Sequence, residues 1–242
     1  MAAERSRLEL SESLQRDEAD VRAALPNVRA AVLGRRGISI GAGHAREPFV
    51  RRAEEVGLID VVRRSTGGTA VLHLEGDLLW SLVLPRALPI VGRDFVTAYP
   101  RLGSGVIAYL RKRGLNVRWS EPPRIRDEVC LLSSRGNVLT VEGKVLGGAA
   151  QHLTSRSLLH HGCLQYSLEP ELVTKVFDLP SETVRDHLTS LTSLGLSGTP
   201  EEIAQGLHRS LSLALEEQGI AVADTPRDDR KPRDARPTSP LG

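Results

Sequence analysis

Apolar residues recur at helical spacing in several stretches of the sequence. In the first stretch, leucines and valines fall among charged residues until Pro26, which cannot continue a helix. The helices predicted in this way are 7–25, 47–57, 94–113, 169–177, 181–194 and 199–217. Ser181 and Thr199 stand as N-caps of the last two. Pro100 and Gly103 predict a kink or a break in the third helix.

Short apolar runs bounded by glycine, proline or charged residues predict strands. These runs are 30–34, 58–62, 70–74, 78–84, 117–119, 129–132 and 137–141. The runs 70–74 and 78–84 flank Glu75-Gly76-Asp77, a pattern that predicts a hairpin. The glycine- and arginine-rich stretch 35–48 predicts a mobile or ligand-facing loop. Almost no apolar residue remains from about residue 223, so we expect the tail 223–242 to be disordered.

Composition narrows the classes of protein to which the chain can belong. With 242 residues, of which 40% are hydrophobic and 26% charged, it can bury the core of one globular domain, which we assign to residues 1–222. A net charge of +2 gives no electrostatic argument for a nucleic-acid partner. The apolar runs are too short to span a bilayer, and residues 1–20 are charged where a signal peptide is apolar. We therefore expect a cytoplasmic protein with no membrane partner.

Two arginines run into a glycine turn and then into an apolar strand, which marks a candidate anion site. Gly67 and Gly68 have no Cβ, so backbone N–H groups at this turn can approach a ligand closely. Arg63 and Arg64 supply forked donors for a phosphate or a carboxylate. An ordinary β-turn with solvated arginines is the alternative that this stretch alone leaves open.

Other stretches accompany the arginine–glycine turn in a recognisable order. They read Leu14-Gln15-Arg16-Asp17-Glu18-Ala19, Gly143-Lys144-Val145-Leu146-Gly147-Gly148-Ala149 and His160-His161-Gly162-Cys163-Leu164. With the turn, they resemble the catalytic domain of the lipoate–protein ligase and octanoyltransferase family over roughly residues 8–217. The resemblance implies a mixed α/β (α+β) fold, with a central mixed sheet flanked by helices, as in the biotin–protein ligases. The site is then expected across the sheet face, between the turn and Lys144.

The resemblance also implies which residues carry the chemistry. Lys144 is expected to be catalytic, with its ammonium reaching into a pocket to neutralise charge on an acyl carbonyl or a phosphate. The positions expected to bind nucleotide and acyl group are Arg63, Arg64, Thr66, Gly67, Gly68, Thr69, Ala70, His73, Gly147, Ala149, His161 and Gly162. From the residues alone, a solvated lysine, a core histidine at position 73 and close strand packing at the glycines remain open. No metal site is expected, because His160 and His161 point apart on a strand and lack a third ligand.

Some positions depart from the family pattern. Thr69 stands in place of a third glycine, Leu74 in place of an aspartate, and Gly143 directly before the lysine where a further basic residue is common. Thr69 narrows the room for backbone approach, and Leu74 removes a carboxylate. The small accessory domain of some of these ligases has no counterpart in the sequence, so a separate accessory chain is an expected partner.

Cys130 separates two mechanisms. Cys130 and Cys163 are too few for a disulfide framework, and two buried thiols are one reading of them. Some family members hold the acyl group as a thioester on a cysteine upstream of the lysine motif, at about the separation between Cys130 and Lys144. The Pro-Ser that usually follows that cysteine is replaced by Leu131-Leu132-Ser133-Ser134. The segment Arg135-Gly136-Asn137-Val138 is instead similar to the Arg-Asn-Asp-Ile segment of the ATP-dependent ligases.

The resemblance implies three functions. The preferred one is a ligase that activates lipoate, or a similar acyl chain, with ATP and Mg²⁺ and attaches it to a lysine of a lipoyl carrier domain. Such a carrier would be a 2-oxoacid dehydrogenase subunit or a protein like the glycine cleavage H protein. The alternative is ATP-independent octanoyl or lipoyl transfer from an octanoyl-carrier donor through a Cys130 thioester. The third is a non-catalytic paralogue or one subunit of a two-chain ligase.

Overall fold

The computed structural model of the chain describes residues 7–45, 47–57, 60–92, 95–121, 125, 129–133 and 137–222. Its helices are α1 (Leu10–Ala23), α2 (Glu47–Glu55), α3 (Phe95–Leu102), α4 (Ser104–Lys112), α5 (Pro170–Phe177), α6 (Ser181–His187) and α7 (Pro200–Glu216). Its strands are β1 (Arg7–Leu8), β2 (Asn27–Leu33), β3 (Gly37–Ile40), β4 (Asp60–Arg63), β5 (Ala70–His73), β6 (Leu78–Pro85), β7 (Val117–Ser120), β8 (Asn137–Val141), β9 (Lys144–Leu153) and β10 (Ser157–Leu164). The tail predicted to be disordered, 223–242, lies outside the described residues. Within the described ranges, none of the helices is both long and apolar enough to cross a membrane.

Two mixed sheets organise the described strands. The larger sheet has the order β1-β2-β6-β10-β9-β8-β7, with β1 parallel to β2 and the other neighbours antiparallel. The smaller sheet has the order β4-β3-β5, in which β3 is parallel to β4 and antiparallel to β5. The predicted mixed α/β fold, with a central mixed sheet flanked by helices, is confirmed.

Successive side chains of β6 point to opposite faces of the large sheet, and the two faces belong to different apolar cores. Leu78 and Leu82 join a core that contains residues of α4 and α7, whereas Leu79 belongs to a second core with residues of β3, β5 and α5. Burying one such leucine completely stabilises the fold by about 1.5–3 kcal/mol. The two cores therefore hold the large sheet between a helical layer and the small sheet.

The hairpin predicted from 70–74 and 78–84 is wrong. β5 pairs with β3 in the small sheet, whereas β6 pairs with β2 and β10 in the large one. The connection between them is a crossing from sheet to sheet, in which Leu74 N–H donates to the Asp77 carboxylate at 2.9 Å and Asp77 carbonyl accepts from Leu33 N–H at 2.9 Å. These bonds to the turn and to β2 replace the ladder that a hairpin would have.

The loop predicted over 35–48 contains a strand, β3. Its four residues are all buried, and it is the central strand of the small sheet. Glycine opens this strand because a Cβ at Gly37 would lie 3.0 Å from the Asp60 carbonyl oxygen of β4. The glycines that indicated a loop are required here by close strand packing.

Three further sequence predictions are corrected, one at Cys130 and two at α6. The run 129–132 is a 3-10 helix, Cys130–Leu132, and only Val129 forms a bridge, with Ala70. The helix predicted over 181–194 ends at His187, because Leu188 takes an extended conformation and bridges to Val145. The N-cap of α6 is Pro180, and Ser181 is its first helical residue.

The break at Gly103 and the cap at Thr199 are confirmed. Gly103 separates α3 from α4, and a Cβ there would lie 2.2 Å from Trp119 Cζ2. Thr199 forms a capping box, in which Glu202 N–H donates to Thr199 Oγ1 at 3.2 Å and Thr199 N–H donates to Glu202 Oε2 at 2.8 Å.

Candidate active site

A cavity opens between the large sheet, α1, the small sheet and the 3-10 helix Cys130–Leu132. It encloses an empty volume of about 660 Å³, including its opening to solvent. Its apolar lining residues are Leu10, Leu14, Val71, Leu79, Trp80, Leu131, Val138, Gly148, Ala149, Ala150 and Gly162. Its polar and thiol lining residues are Ser13, Asp17, Ser39, Arg64, His73, Cys130, Asn137, His161 and Cys163. A largely apolar cavity with a few convergent polar groups suits a ligand that has an aliphatic chain and one reactive end.

Arg64 places a buried cation at the wall of this cavity. It is 5% exposed, and burial lowers the pKa of its guanidinium. Its Nη1 donates to the Ser39 carbonyl oxygen at 2.9 Å, and its Nη2 donates to the Gly67 carbonyl oxygen at 2.8 Å. The same Nη2 lies 3.8 Å from Cys130 Sγ. Two backbone acceptors thus fix the cation beside the thiol.

Gly68 is required where the turn meets Cys130. Its φ is +90°, a conformation that residues with a Cβ rarely adopt. A Cβ at this position would lie 2.8 Å from Arg64 Nη2 and 2.9 Å from Cys130 Sγ. Any side chain at position 68 would therefore enter the space where the guanidinium and the thiol meet.

Arg63 stabilises the loop that follows β3. Its Nη1 lies 3.1, 3.0 and 2.8 Å from the carbonyl oxygens of Gly41, Ala42 and His44, to which it donates. This loop packs closely against the arginine–glycine turn, because a Cβ at Gly41 would lie 1.9 Å from the Gly68 carbonyl oxygen. Arg63 therefore does not line the cavity, whereas the arginine beside it does.

His73 lines the cavity as a neutral imidazole. Burial, followed by the charges of Arg64 and His161, lowers its pKa to about 3. Its Nε2 lies 2.8 Å from Ser39 Oγ, and among the described residues its Nδ1 has no hydrogen-bond partner. An imidazole with this pKa is a poor proton acceptor near neutral pH.

The adjacent histidines of β10 face opposite sides of the large sheet, as predicted. His160 packs against Trp80 with 5.0 Å between ring centroids, in the core next to the helices. His161 faces the cavity, where its Nδ1 lies 2.8 Å from Asp17 Oδ2 and its Nε2 lies 2.9 Å from Thr66 Oγ1. In the part of the chain that the structure describes, no group of His, Cys, Asp and Glu residues could hold a metal ion.

Lys144 lies outside the cavity lining. The predicted tight turn is present, with φ of +51° at Glu142 and +82° at Gly143. The Lys144 side chain is exposed, and its Nζ donates to the Arg185 carbonyl oxygen at 2.7 Å. The expected reach of its ammonium into the pocket is therefore not observed. Gly147 also lies outside the lining, where a Cβ would be 2.1 Å from the Cys163 carbonyl oxygen of β10.

The structure thus brings together only some of the residues selected from the sequence. The cavity collects Arg64, His73, Cys130, Ala149, His161 and Gly162. The other residues of the arginine–glycine turn lie beside the cavity. Thr69 and Ala70, which follow them, are both buried. No role was predicted from the sequence for Asp17, Ser39 or Asn137. Asp17 lies in the stretch Leu14–Ala19 that resembles the family, and the alternation of Ser39 with two isoleucines was the signal that it lies on a strand.

The description "Lipoyl protein ligase A/B catalytic domain" belongs to the family model that matches residues 9–212. The chain belongs to this family. One curated relative, octanoyltransferase LipM of Kyrpidia tusciae, is 30% identical over 176 residues, which are 64% of this chain and 64% of the relative. The chain thus spans less than two thirds of that relative's length.

Solved structures of the lipoyl protein ligase family share the fold. A lipoate-protein ligase A bound with ATP superposes with a TM-score of 0.71 and 23% identity, over 88% of this chain and 82% of that chain. The bi-partite lipoate protein ligase of Thermoplasma acidophilum, described with its E2 lipoyl domain, gives 0.66 and 22%, over 84% and 78%. The expected membership of the lipoate–protein ligase and octanoyltransferase family is confirmed.

Proposed function

We propose that the chain is an ATP-independent acyltransferase, which takes an octanoyl or similar acyl group onto Cys130 and passes it to a lysine of a lipoyl carrier domain. The observation that carries this proposal is the thiol of Cys130 at the cavity wall, 3.8 Å from the Nη2 of a buried arginine. The name of the K. tusciae relative, an octanoyltransferase, supports it. This order reverses the preference for an ATP-dependent ligase that the sequence motifs alone suggested.

In the first step, Cys130 Sγ attacks the acyl carbonyl of a thioester donor. The new S–C bond forms, the donor S–C bond breaks, and the thiol proton leaves with the donor thiol. Negative charge develops on the carbonyl oxygen beside Sγ. Arg64 Nη2 is already held there by the Gly67 carbonyl oxygen, so it stabilises that charge without reorganisation.

In the second step, the amine of a carrier lysine attacks the Cys130 thioester. A C–N bond forms, the S–C bond breaks, and one proton passes from the amine to Sγ, which restores the thiol. The aliphatic lining of the cavity holds the chain during both steps, at roughly 0.8 kcal/mol for each CH₂ group removed from water.

The partners and the compartment follow as parts of the proposal. The acceptor would be a lipoyl carrier domain of a 2-oxoacid dehydrogenase subunit or of a protein like the glycine cleavage H protein. The bi-partite ligase of T. acidophilum gives a precedent for a separate accessory chain. A cytoplasmic location agrees with the requirement for a free Cys130 thiol.

The second candidate is the ATP-dependent ligase. Its support is the buried Arg64 beside the Gly67–Gly68 turn, which is a suitable environment for a phosphate. Lys144 would have to leave the Arg185 carbonyl oxygen to take part. The cavity does not fit a Mg²⁺ ion, because its carboxylate, Asp17, already accepts from Arg29 and His161. We therefore assign no step to the metal.

Mass spectrometry of a carrier domain separates the candidates. The protein is mixed with the carrier and either an octanoyl thioester donor or lipoate with ATP–Mg²⁺. The proposal predicts modification from the donor without ATP, a thioester adduct on Cys130, and loss of both in Cys130→Ala. The matched variant Cys163→Ala removes the other cavity thiol and should still transfer. Modification that requires ATP and survives Cys130→Ala would establish the ligase instead, and carrier binding without any transfer would indicate the non-catalytic paralogue.

A further inference from the structure

Three glycines of β9 and β10 lie at or beside the cavity, and two of them are required by backbone packing. A Cβ at Gly147 would lie 2.1 Å from the Cys163 carbonyl oxygen, and a Cβ at Gly162 would lie 2.3 Å from the Gly148 carbonyl oxygen. Both carbonyl groups belong to the paired backbones of β9 and β10 and cannot move away. Any other residue at these two positions would therefore disturb the sheet itself.

The third glycine, Gly148, has no such reason to be a glycine. Its φ lies outside the left-handed region that favours glycine. Among the described residues, the nearest backbone atom to its Cβ position is the Asn137 carbonyl oxygen at 3.5 Å, which is an ordinary contact. The one closer atom is Leu131 Cδ2 at 3.0 Å, at the end of a flexible side chain. The missing side chain of Gly148 therefore makes room for Leu131.

This room lies in the floor of the cavity. Cross-strand pairing aligns Gly148 with Val138 of β8 on one side and with Cys163 of β10 on the other, and Cys163 in turn with Leu79 of β6. Directly paired residues point to the same face of a sheet, and all four line the cavity. The row thus has a hollow at Gly148, between two larger side chains, and a methyl group of Leu131 fills it.

Leu131 is also the residue next to the proposed nucleophile. Cys130 and Leu131 both line the cavity, and consecutive Cα atoms are only about 3.8 Å apart. An extended octanoyl chain on Cys130 Sγ spans roughly 9 Å, so it passes within reach of Leu131, whereas a two-carbon group ends close to the sulfur. The hollow at Gly148 holds Leu131 at the floor and keeps it out of the path of the longer chain.

We propose that the contact between Leu131 and Gly148 sets the acyl-chain selectivity of the cavity, an inference that rests on the proposed function. With glycine at position 148, Leu131 packs into the floor, and the cavity accepts a straight chain of medium length such as octanoyl. A larger residue at position 148 displaces Leu131 into the cavity and leaves room for short groups only. The two residues act through the width of the cavity and form no bond with the substrate.

Loading of Cys130 with groups of different length tests this selectivity. The full chain is treated either with an octanoyl thioester or with iodoacetamide, which adds a two-carbon group, and intact mass gives each rate. Gly148→Val should lower octanoyl loading at least about tenfold, while alkylation of Cys130 stays within about twofold of wild type. Gly148→Ala should lower octanoyl loading by a smaller factor. Gly43→Ala is the control, because no atom lies within 4 Å of its Cβ position and its φ is not left-handed.

A compensating variant separates selectivity from a structural defect. Gly148→Val adds an isopropyl group at the floor, and Leu131→Ala removes an isopropyl group from the side chain that packs there. The double variant therefore conserves volume, and its octanoyl loading should return to within about threefold of wild type. Two independent structural defects would instead lower the rate further. Leu131→Ala alone should load a dodecanoyl group at least about tenfold faster than wild type.

Several results would overturn the selectivity. One is an equal fall in octanoyl loading and alkylation in Gly148→Val, which would mean that the thiol itself is misplaced. Unchanged octanoyl loading in Gly148→Val, or no recovery in the double variant, would be equally decisive. A native chain that is alkylated at Cys130 but never forms the octanoyl thioester would instead refute the proposed function. Thermal unfolding of each variant establishes that it folds before its rates are compared.

Discussion

At the scale of the residue, the two cysteines of the cavity differ in environment. Cys130 is half-buried at the wall, with Arg64 Nη2 at 3.8 Å. Cys163 is buried on β10, and its pKa is raised to about 12 by burial and, next, by the carboxylate of Asp77. The proposed role of the first as a nucleophile therefore implies a selective reactivity that can be measured without any substrate.

We expect iodoacetamide to alkylate Cys130 and to leave Cys163 unmodified in the folded protein at pH 8. The thiolate is the reactive form of cysteine, and a thiol with a pKa of about 12 supplies almost none of it. Peptide mapping after a timed reaction gives the two extents separately. Unfolding in urea should make both cysteines reactive, which serves as the control, and equal labelling in the folded state would contradict the expectation.

Substitution of Gly68 should affect the site more than the fold. Gly68→Ala places a methyl group 2.9 Å from Cys130 Sγ and 2.8 Å from Arg64 Nη2 at a φ of +90°. We expect loading of Cys130 to fall at least about tenfold, with a loss of roughly 1 kcal/mol in stability from the strained backbone. Gly114→Ala is the matched variant, because its φ is +87° and no atom lies within 4 Å of its Cβ position. If both variants load equally slowly, the contact with the thiol is not the cause.

At the scale of the element, helices and strands with a strong periodic pattern were predicted correctly from the sequence. Helix α7 was predicted within a residue of its bounds, because Thr199 caps it and its apolar stripe is long. Strand β3 was missed, because the glycines around it indicated a loop. Gly37 is needed there for close packing of β3 with β4. The hairpin predicted for β5 and β6 was wrong, since local patterns do not record which sheet a strand joins.

Removal of the cap at α7 should lower stability measurably. Thr199→Ala deletes the acceptor for Glu202 N–H, and we expect a loss of about 1 kcal/mol in the free energy of unfolding. Ser181→Ala is the matched control at the start of α6, because the Ser181 hydroxyl has no hydrogen-bond partner among the described residues. Urea denaturation of both variants checks this difference. An equal loss in the two would show that the capping box does not stabilise α7.

The site was predicted less completely than the fold, also for physical reasons. Arg64 was found because an anion site requires a forked donor, whereas His73 and His161 were found through the motifs of the family that the sequence resembles. Ser39 was not, because its contribution is to hold Arg64 and His73, which becomes visible only when β3 is placed beside β4 and β5. Lys144 shows the converse, since its motif was recognisable while its side chain points to Arg185.

At the scale of the whole molecule, three buried groups couple folding to pH. Burial, together with the charge of His161, lowers the pKa of His160 to about 3, and His73 is likewise near 3. Burial raises the pKa of Asp77 from 3.8 to about 7, against the N–H groups of Leu74 and Tyr166 that donate to it. Between about pH 4 and 6.5, unfolding takes up two protons at the histidines and releases one at the aspartate. These groups together therefore make stability increase with pH in this range.

Variants should separate the two opposing contributions. His160→Gln removes one proton uptake, so it should flatten the rise in the free energy of unfolding between about pH 4 and 6.5. Asp77→Asn removes the proton release on unfolding, so the free energy of unfolding should rise more steeply with pH below about pH 6.5. The variant also abolishes the stability that protonated Asp77 contributes at low pH and that is lost as pH increases to about 7. Urea unfolding across this range measures each slope. The same slope in wild type and both variants would contradict these assignments.

The hydrogen bonds at the cavity join residues that are far apart in the sequence. The Asp17–His161 contact spans 144 positions, the Thr66–His161 contact 95 and the Arg64–Cys130 contact 66. Contacts of such separation form late and slowly, because a long loop must close before they gain free energy. During synthesis the cavity cannot assemble until β10 has left the ribosome. A nascent chain that ends before His161 will therefore expose the apolar faces of α1 and the small sheet, and the pairing of β10 completes both the cavity and the protection of those surfaces from aggregation.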